Sequence, residues 1–354
     1  MKVIVRLTLA VISLCAFSSQ VFAKTNTVSI MSYNVENLFD NIKDPGKSDY
    51  TYLPLEEKNN PEVQNFCRSQ SEKSRIQECL ETDWSDSVLS KKMSHIADTI
   101  LQINGRGPDV MLLVEVENLN ILQKLNREYL SAAGYTTEVL IEGDDQRGID
   151  VAVLSRFPLA EPAALHRIDF TPETKNPNWK KPLTRGILEV PLRLPDGKTL
   201  YVYALHFPSQ AKPLIQRQDA VRTLNKLNMS KPADALQIAG GDFNITKEEN
   251  HSVGLFSQAL SSQWDVSHLV GCKSCKGSHY YKGDWSFLDA LLFSKSLAPT
   301  KSANHMYVVD SIRTPKSGKY QLGKDGNPQR FDPRGDRGVS DHLPMYGEIT
   351  YNSK

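Results

Sequence analysis

Short apolar runs of the kind that form buried β-strands recur along almost the whole of this 354-residue chain. They cover residues 28–35, 109–116, 136–142, 149–155, 186–192, 199–205, 235–240, 287–293 and 345–351. Amphipathic helical patterns lie between them, at 93–101, 119–134 and 215–228. Many strands with interspersed helices predict an α/β (α+β) domain of layered type, in which helices cover the β-sheets.

The first 23 residues have the pattern of a signal peptide. Lys2 and Arg6 precede the apolar stretch LTLAVISLCAF, and Val21 to Ala23 fits a small-residue cleavage site. The stretch is too short to span a bilayer, and no other stretch of the sequence is long enough. We therefore expect a secreted or periplasmic monomer whose mature chain, residues 24–354, forms a single domain.

The charge balance gives no general attraction to nucleic acid. The formal net charge is +1, and loss of Lys2 and Arg6 with the signal peptide changes it to −1. A polyanionic partner would need a local basic patch or a bound metal ion to offset repulsion.

Four cysteines remain in the mature chain, namely Cys67, Cys79, Cys272 and Cys275. An even number in an exported protein indicates two disulfides, and the local pairs Cys67–Cys79 and Cys272–Cys275 are favoured among three connectivities. A zinc site that includes His279 is the alternative, but the spacing is not that of a zinc finger. The polar segment 41–86 is interpreted as a surface excursion held by the first disulfide.

Polar side chains stand at or just past the ends of the apolar runs. They are Asn34, Glu36, Glu115, Glu117, His206, Asp242, Asn244, Asp289, Asp341 and His342. Acids and amides beside buried strands are costly unless they are paired or bound to a cation. We therefore predict that these groups converge on one site.

The residue types favour one chemistry. Carboxylates and amides without metal-spaced thiols suit a hard cation, Mg²⁺ in the simplest case, with Mn²⁺ or Ca²⁺ as alternatives. Two histidines beside carboxylates supply an acid and a base. The sequence has no serine nucleophile elbow, P-loop or dinucleotide fingerprint. This inventory predicts metal-assisted attack of water on a phosphorus ester.

The polar clusters lie in segments that occur in the order SYNVENLFD, DVMLLVEVEN, RGIDVAVLSRFP, ALHFPSQ, GGDFN, YYKGDWSFLDALLFS and GVSDHLPM. This ordered set resembles the endonuclease/exonuclease/phosphatase superfamily of deoxyribonuclease I-like metallohydrolases. It is closest in pattern to exported bacterial members that begin with a YNVENLFD segment. The resemblance covers about residues 28 to 350 and implies a four-layer sandwich of two packed β-sheets flanked by helices.

The resemblance also implies roles for the residues on the metal side of the site. Glu115 matches the main metal-binding glutamate, and Asn34 and Asp341 lie close to the same cation. Asp242 and Asn244 match the Asp-x-Asn pair that orients the attacking water and holds the phosphoryl oxygens.

Further matches concern the histidines. His342 matches the essential histidine, Asp289 matches the acid that orients it, and His206 matches the histidine that contacts the phosphate or the leaving oxygen. Which histidine is the acid and which the base stays open, as does whether the Asp-x-Asn aspartate is the base. The sequence departs from the family pattern twice: Val114 replaces the usual Gln, and Glu36 stands where many nucleases carry Asp. Glu36 is a candidate metal ligand, with a surface glutamate beside the site as the alternative.

Other candidates rest on weaker signals. Asp150 is a candidate partner for His206, with a strand-end surface acid as the alternative. The basic candidates for contact with substrate are Arg147, Arg185, Arg330, Arg334 and Arg337. From these candidates and the residues named above, we select Asn34, Asp150, Arg185 and Arg337 as the predicted substrate-binding residues. The aromatic residues Tyr280, Tyr281 and Trp285 either stack a base in the cleft or pack a loop. We interpret as structural the remaining histidines, namely His95, His166, His251, His268 and His305.

The function expected from this pattern is that of an exported divalent-metal-dependent phosphodiesterase, and more specifically an endonuclease on DNA or RNA. The alternative is a phospholipid-directed hydrolase of the same fold, against which the sequence shows no exposed aromatic hairpin or amphipathic membrane segment. A non-catalytic binding or toxin-like module is the third hypothesis.

Overall fold

Two six-stranded β-sheets form the centre of the computed structural model, which describes residues 25–174, 176–300 and 304–352. The predicted signal peptide, residues 1–23, lies outside the described residues. In chain order the strands are Thr25–Leu38 (β1), Val110–Val116 (β2), Thr137–Leu140 (β3), Asp150–Ser155 (β4), Ala164–His166 (β5), Ile187–Arg193 (β6), Thr199–His206 (β7), Leu236–Asp242 (β8), Trp264–Val266 (β9), His279–Tyr281 (β10), Asp284–Ser286 (β11), Asp289–Ser294 (β12), His305–Tyr307 (β13) and Met345–Asn352 (β14).

The helices lie in the connections between these strands. They are Pro61–Arg68 (α1), Lys73–Glu81 (α2), Asp86–Leu101 (α3), Leu119–Tyr129 (α4), Leu214–Met229 (α5), Lys247–Val253 (α6) and Ser267–Val270 (α7), with a π-helix at Leu255–Leu260. Within the part of the chain that the structure describes, no helix is long and apolar enough to cross a membrane.

Each large sheet is built around one parallel strand pair. The first sheet has the order β13-β14-β1-β2-β4-β3, and β1 and β2 are parallel. The second has the order β5-β6-β7-β8-β12-β9, and β7 and β8 are parallel. Strands β10 and β11 form a separate hairpin. The carboxyl ends of β1 and β2 therefore lie together in the first sheet, and those of β7 and β8 lie together in the second.

The side-chain alternation of β1 shows why it carries apolar residues on both of its faces. Val28 and Ile30 enter the core between the two sheets. Met31 and Tyr33 enter the core under α3 and α4. Because successive residues of a strand point to opposite faces, a sheet that is buried on both faces needs a continuous apolar run.

A third core lies on the outer face of the second sheet, where Tyr203 and Ala239 meet Leu224 of α5 and Phe256 of the π-helix. The layers are therefore helices, sheet, sheet and helices, which confirms the predicted four-layer α/β sandwich.

Both predicted disulfides are present, Cys67–Cys79 and Cys272–Cys275. The first joins α1 to α2 within the polar segment 41–86. This segment, which was interpreted as a surface excursion, therefore contains regular helices. Asn60 caps α1, since its side chain accepts a hydrogen bond from the Glu62 backbone N–H at 2.9 Å. The cysteines pack with Leu53 and Val63 in a small core of their own.

Candidate active site

The predicted site residues meet where the ends of β1, β2, β7 and β8 face each other. Strand register brings three of them side by side, since Asp242 is paired with His206 of β7 and with Asp289 of β12. Asn34 and Glu115 come from the first sheet, and His342 comes from the turn before β14. The sheets therefore contribute opposite walls of one site.

Irregular backbone aims the first-sheet residues at this edge. The pairing of β1 with β2 shifts between Asn34 and Leu38, and the pairing of β2 with β4 shifts between Val114 and Val116. Glu36 has φ 49° and Glu115 has φ 67° within these bulges. Such conformations are costly for residues other than glycine and concentrate at functional sites, where they redirect a side chain.

Gly241 permits the close approach of β7 and β8 beneath His206 and Asp242. Its φ is +148°, and a Cβ atom there would lie 1.8 Å from the Leu205 carbonyl oxygen. Only glycine fits this position without displacing the backbone.

A polar cluster surrounds Asp242. The Asn34 Nδ2 donates a hydrogen bond to Asp242 Oδ2 at 3.2 Å and lies 3.4 Å from Glu115 Oε1. The His206 Nε2 is 3.6 Å from Asp242 Oδ2 and 3.8 Å from Glu115 Oε1. Asp242 Oδ1 accepts from the Asn244 backbone N–H at 2.8 Å. Burial, and then the Asp289 charge, raise the pKa of Asp242 to about 7.

The second histidine is fixed by Asp289. The His342 Nδ1 lies 2.7 Å from Asp289 Oδ2, and both side chains are buried. Burial opposes the charged imidazolium, but Asp289, followed by Asp341 and Asp242, outweighs it and raises the pKa of His342 well above its ordinary value. Its Nε2 faces the cluster, 3.9 Å from Asp242 Oδ2.

His206 has the opposite tendency. Burial lowers its pKa well below the ordinary value, and the Arg185, Arg147 and His342 charges act in the same direction. Two histidines on one carboxylate cluster are thus driven to different protonation states, one neutral and one charged. This is the arrangement that acid–base chemistry requires.

The expected hydrogen bond between Asp150 and His206 does not form. Among the described residues, His206 Nδ1 and Asp150 Oδ2 are both buried without a hydrogen-bond partner. Asp150 instead accepts from the Gly143 backbone N–H through Oδ1 at 2.9 Å. The pairing failed as a prediction because neighbouring strand ends do not specify which way a side chain rotates.

Glu36 and Asp341 lie together at the rim of the site. Asp341 donates its backbone N–H to Glu36 Oε2 at 3.0 Å. The Arg330 guanidinium bridges the two carboxylates, 3.0 Å from Glu36 Oε1 and 2.7 Å from Asp341 Oδ2. Burial and the Asp341 charge raise the pKa of Glu36 to about 8, against the effect of Arg330 and Lys92.

The other predicted arginines are engaged elsewhere. Arg334 pairs with Glu81 at 3.1 Å, and Arg337 pairs with Asp332 at 2.9 Å. The segment upstream of Asp341 is therefore a set of separate ion pairs in which Arg330 alone contacts the site carboxylates described above. The role of Arg337 in substrate binding stays a prediction.

Arg185 is buried beside the cluster. Its Nη2 lies 3.5 Å from Asp145 Oδ2, and Arg147 pairs with the same carboxylate at 3.3 Å. Both guanidinium groups lower the pKa of His206. They supply positive charge beside His206, and a contact between Arg185 and substrate stays a prediction.

The sequence analysis did not predict two residues of the site, since it considered His279 only as part of an alternative zinc site and did not single out Lys92. His279 of β10 has its Nε2 3.8 Å from Asp341 Oδ2 and its ring centroid 4.8 Å from that of His342. Lys92 of α3 is fully buried, and its Nζ donates to the carbonyl oxygens of Val35 and Val339 at 2.7 and 2.6 Å. Lys92 lies just before the predicted helical pattern 93–101, and the available signal was its position four residues before the apolar Ile96.

Three of the histidines interpreted as structural do pair with carboxylates, away from the site. The pairs are His95 with Asp336, His166 with Glu189, and His305 with Asp196.

The expectation that no aromatic hairpin is exposed is wrong. Strands β10 and β11 form a hairpin beside His342, in which Tyr281 is 62 % exposed and Tyr280 packs against Trp285 with ring centroids 5.3 Å apart. Lys282 and Lys316 lie over the rings of Tyr281 and Trp285. The sequence analysis did not predict this hairpin, because the segment is short and its aromatic residues lie among polar ones.

The donor atoms of the site fit a hard divalent cation. One set of ligand atoms within 4.8 Å of one another comes from Asp242, Asp289 and His342, and another from His279, Asp341 and His342. Because His342 is held as an imidazolium by Asp289, the carboxylate oxygens of these sets, and not its ring nitrogen, are the atoms that fit a hard cation. Glu115 stands beside them through its contacts with Asn34 and His206.

A sandwich with a buried carboxylate–histidine cluster between its strand ends is the architecture of a family of hydrolases. The chain belongs to the endonuclease/exonuclease/phosphatase family, whose sequence profile matches residues 29–351. A comparison with proteins of curated function found no match to this sequence.

Solved structures share the fold at low sequence identity. TDP2 from D. rerio, complexed with single strand DNA product, is 17% identical with a TM-score of 0.53 over 91% of this chain and 98% of that chain. An endonuclease/exonuclease/phosphatase family protein from Bacteroides thetaiotaomicron is 14% identical with a TM-score of 0.55 over 93% and 97%. One from Bacteroides vulgatus is 11% identical with a TM-score of 0.54 over 92% and 98%.

Proposed function

We propose that the protein is an exported, divalent-metal-dependent phosphodiesterase that cleaves nucleic acid as an endonuclease. The observation that carries the proposal is the position of Asp242 between two histidines with opposite protonation tendencies, at 3.6 Å from His206 Nε2 and 3.9 Å from His342 Nε2. In such a site Asp242 can accept a proton at one end of a reacting ester and the charged His342 can donate one at the other end, while the neutral His206 contacts a phosphoryl oxygen.

Each side chain has a defined part in the proposed chemistry. Asp242 orients the attacking water and accepts its proton. His342, held charged by Asp289, neutralises the developing negative charge and protonates the leaving oxygen. Asn34 and Asn244 hold the phosphoryl oxygens. Glu115, Asp341 and Glu36 would hold the divalent cation, which polarises the phosphoryl oxygen when bound.

The hairpin and a structural relative support nucleic acid as the substrate. D. rerio TDP2, which shares the fold, was solved with a single strand DNA product. Here the exposed Tyr281 offers a stacking face next to His279, which itself contacts Asp341. The hairpin turn is Lys282-Gly283, followed by Asp284, and such a polar tip suits contact with an aqueous polyanion better than insertion into a bilayer.

The test is a substrate panel with matched variants. The mature protein is incubated with Mg²⁺ or with EDTA on plasmid DNA, RNA, sphingomyelin vesicles and phosphoinositide vesicles. We expect nicking of plasmid DNA or cleavage of RNA that EDTA abolishes and His342→Ala removes. His251→Ala is the control. It alters an exposed histidine that has no part in the proposed site, and we expect it to keep full activity. Cleavage of lipid alone would overturn the nuclease assignment in favour of the phospholipid hydrolase.

Export is supported by the two disulfides, which form and persist in oxidising compartments. The direct test is expression of the full chain in bacteria, followed by fractionation and N-terminal mass analysis. We expect a mature chain that starts at Lys24 in the periplasm or the medium, and an uncleaved chain in the cytoplasm would contradict this.

A further inference from the structure

A second group of carboxylates lies at the end of β2, apart from the residues used above. Asp44 and Asp49, from the loop that follows β1, each bring an oxygen to Glu117, and the three ligand atoms lie within 4.8 Å of one another. Asp40 completes the group, since its backbone N–H donates to Glu117 Oε2 at 2.7 Å. Asn118 Nδ2 donates to Asp40 Oδ2 at 3.1 Å and to Asp44 Oδ2 at 3.3 Å.

One oxygen of this group has no partner. Glu117 is only 2 % exposed, and among the described residues its Oε1 has no hydrogen-bond partner. A buried carboxylate that is left unpaired is costly, and a bound cation would remove that cost.

The loop contains two lysines. The Lys47 Nζ is directed away from the cluster, to Glu142 at 3.6 Å and the Asp145 carbonyl at 3.3 Å. The lysine that contacts the cluster is therefore Lys43. Its Nζ lies 2.7 Å from Asp49 Oδ1 and also donates to the carbonyl oxygens of Asp44 and Lys47. One ammonium group faces four carboxylates, so the cluster keeps a negative balance. Its ligand atoms are carboxylate oxygens and neighbouring backbone carbonyls, the kind of oxygen set that Ca²⁺ takes with flexible geometry, while the Asn118 Oδ1 is engaged in accepting from the Ile121 N–H.

We propose that Asp44, Asp49 and Glu117 form a second divalent-cation site, selective for Ca²⁺, that fixes residues 39–53 against the end of β2. Glu117 lies two residues after Glu115, so the site would hold the bulge that aims Glu115. The Ser48 backbone N–H also donates to the Gln146 carbonyl at 2.7 Å, which links the same loop to the segment with Arg147. This inference does not depend on the proposed function.

The experiment isolates this site from the catalytic one. The mature chain with Glu115→Gln and Asp341→Asn is freed of metal with EDTA, dialysed, and titrated with Ca²⁺ by calorimetry and thermal unfolding. We expect one Ca²⁺ per chain and a Tm that rises by roughly 5 °C at saturation. Adding Glu117→Gln or, as the milder change, Asp44→Asn abolishes both effects. Glu142→Gln, an exposed acid on a nearby loop, is the matched control and preserves them.

Lys43→Met separates a cation site from a simple ion-pair network. If Ca²⁺ occupies the cluster, removal of the competing ammonium leaves folding intact and tightens Ca²⁺ binding by about tenfold. If Lys43 is itself the resident cation, the variant is destabilised and Ca²⁺ neither binds nor raises the Tm of either chain. That second result would overturn the proposal.

Discussion

The Nδ1 atom of His342 lies 2.7 Å from Oδ2 of Asp289 in a fully buried pair. The contact fixes the ring orientation and leaves Nε2 to face Asp242. Asp289 also raises the pKa of His342, so the imidazolium persists to higher pH than it would alone. The His342 backbone N–H donates to Ser340 Oγ, which donates to the Asn34 carbonyl, so His342 is tied to β1 of the first sheet while Asp289 belongs to the second.

Asp289→Asn tests this relationship through the pH profile of kcat. Because the charged form of His342 is lost as pH rises through its folded-state pKa, wild-type kcat should fall at a pH well above the ordinary histidine range. The variant loses the main stabilising charge, so this fall should move to lower pH, and kcat at neutral pH should drop by roughly 10²-fold. The profile is measured on plasmid DNA with Mg²⁺ from about pH 5 to about pH 10. An unshifted profile would show that Asp289 has no such role.

Lys92→Met tests the buried ammonium that joins three backbone carbonyls below the site. Loss of Nζ leaves the carbonyl oxygens of Val35, Glu36 and Val339 without that donor. We expect a loss of about 2–4 kcal/mol in the free energy of unfolding, measured by urea denaturation. We also expect lower kcat, because two of these residues flank Asn34 and Ser340.

Lys91→Met is the control for that variant. Lys91 is the preceding residue of α3 and donates to the Gly335 carbonyl near the surface. It should cost about 1 kcal/mol or less. Equal losses for the two variants would indicate a general effect on the helix.

Much of the fold was predictable because the long strands are buried on both faces and so have continuous apolar sequences. The short strands β5, β9 and β13 have three residues each and were missed, since three residues cannot establish an alternation. Helices α1 and α2 were missed because their apolar residues are few and their stability comes from the disulfide and a small local core.

The site was predictable to the extent that its residues stand at strand ends. His206, Asp242 and Asp289 follow from this rule, since strand register alone places them side by side. The bulge at Glu115 could not be predicted, because a positive φ at a residue other than glycine leaves no mark in the sequence. His279 was missed because its proximity to Asp341 depends on how the β10–β11 hairpin packs.

Stability should depend on pH through His268, whose ring stacks on Phe287 at 4.5 Å and meets Phe256 edge-on at 4.7 Å. Burial lowers its pKa to about 4. Below pH ~6.5 the unfolded chain therefore takes up a proton that the folded chain does not, so stability falls as pH falls toward about 4. Relative to His268→Gln, the wild type should lose up to about 3 kcal/mol across this window. Urea unfolding at a series of pH values measures it, with His251→Gln as control.

Tyr281 is the residue whose removal should separate binding from chemistry. Its ring is exposed on the hairpin beside His279, with the Lys282 ammonium 5.1 Å from the ring centroid. Loss of a stacking face costs about 1–3 kcal/mol per base, so Tyr281→Ala should weaken binding of single-stranded DNA by roughly 5- to 150-fold. The measurement is fluorescence anisotropy of a labelled oligonucleotide in the inactive His342→Ala background. Tyr281→Phe keeps the ring and should bind as the parent does. Equal weakening by both substitutions would assign the effect to the hydroxyl group, and no weakening by either would remove the hairpin from the binding surface.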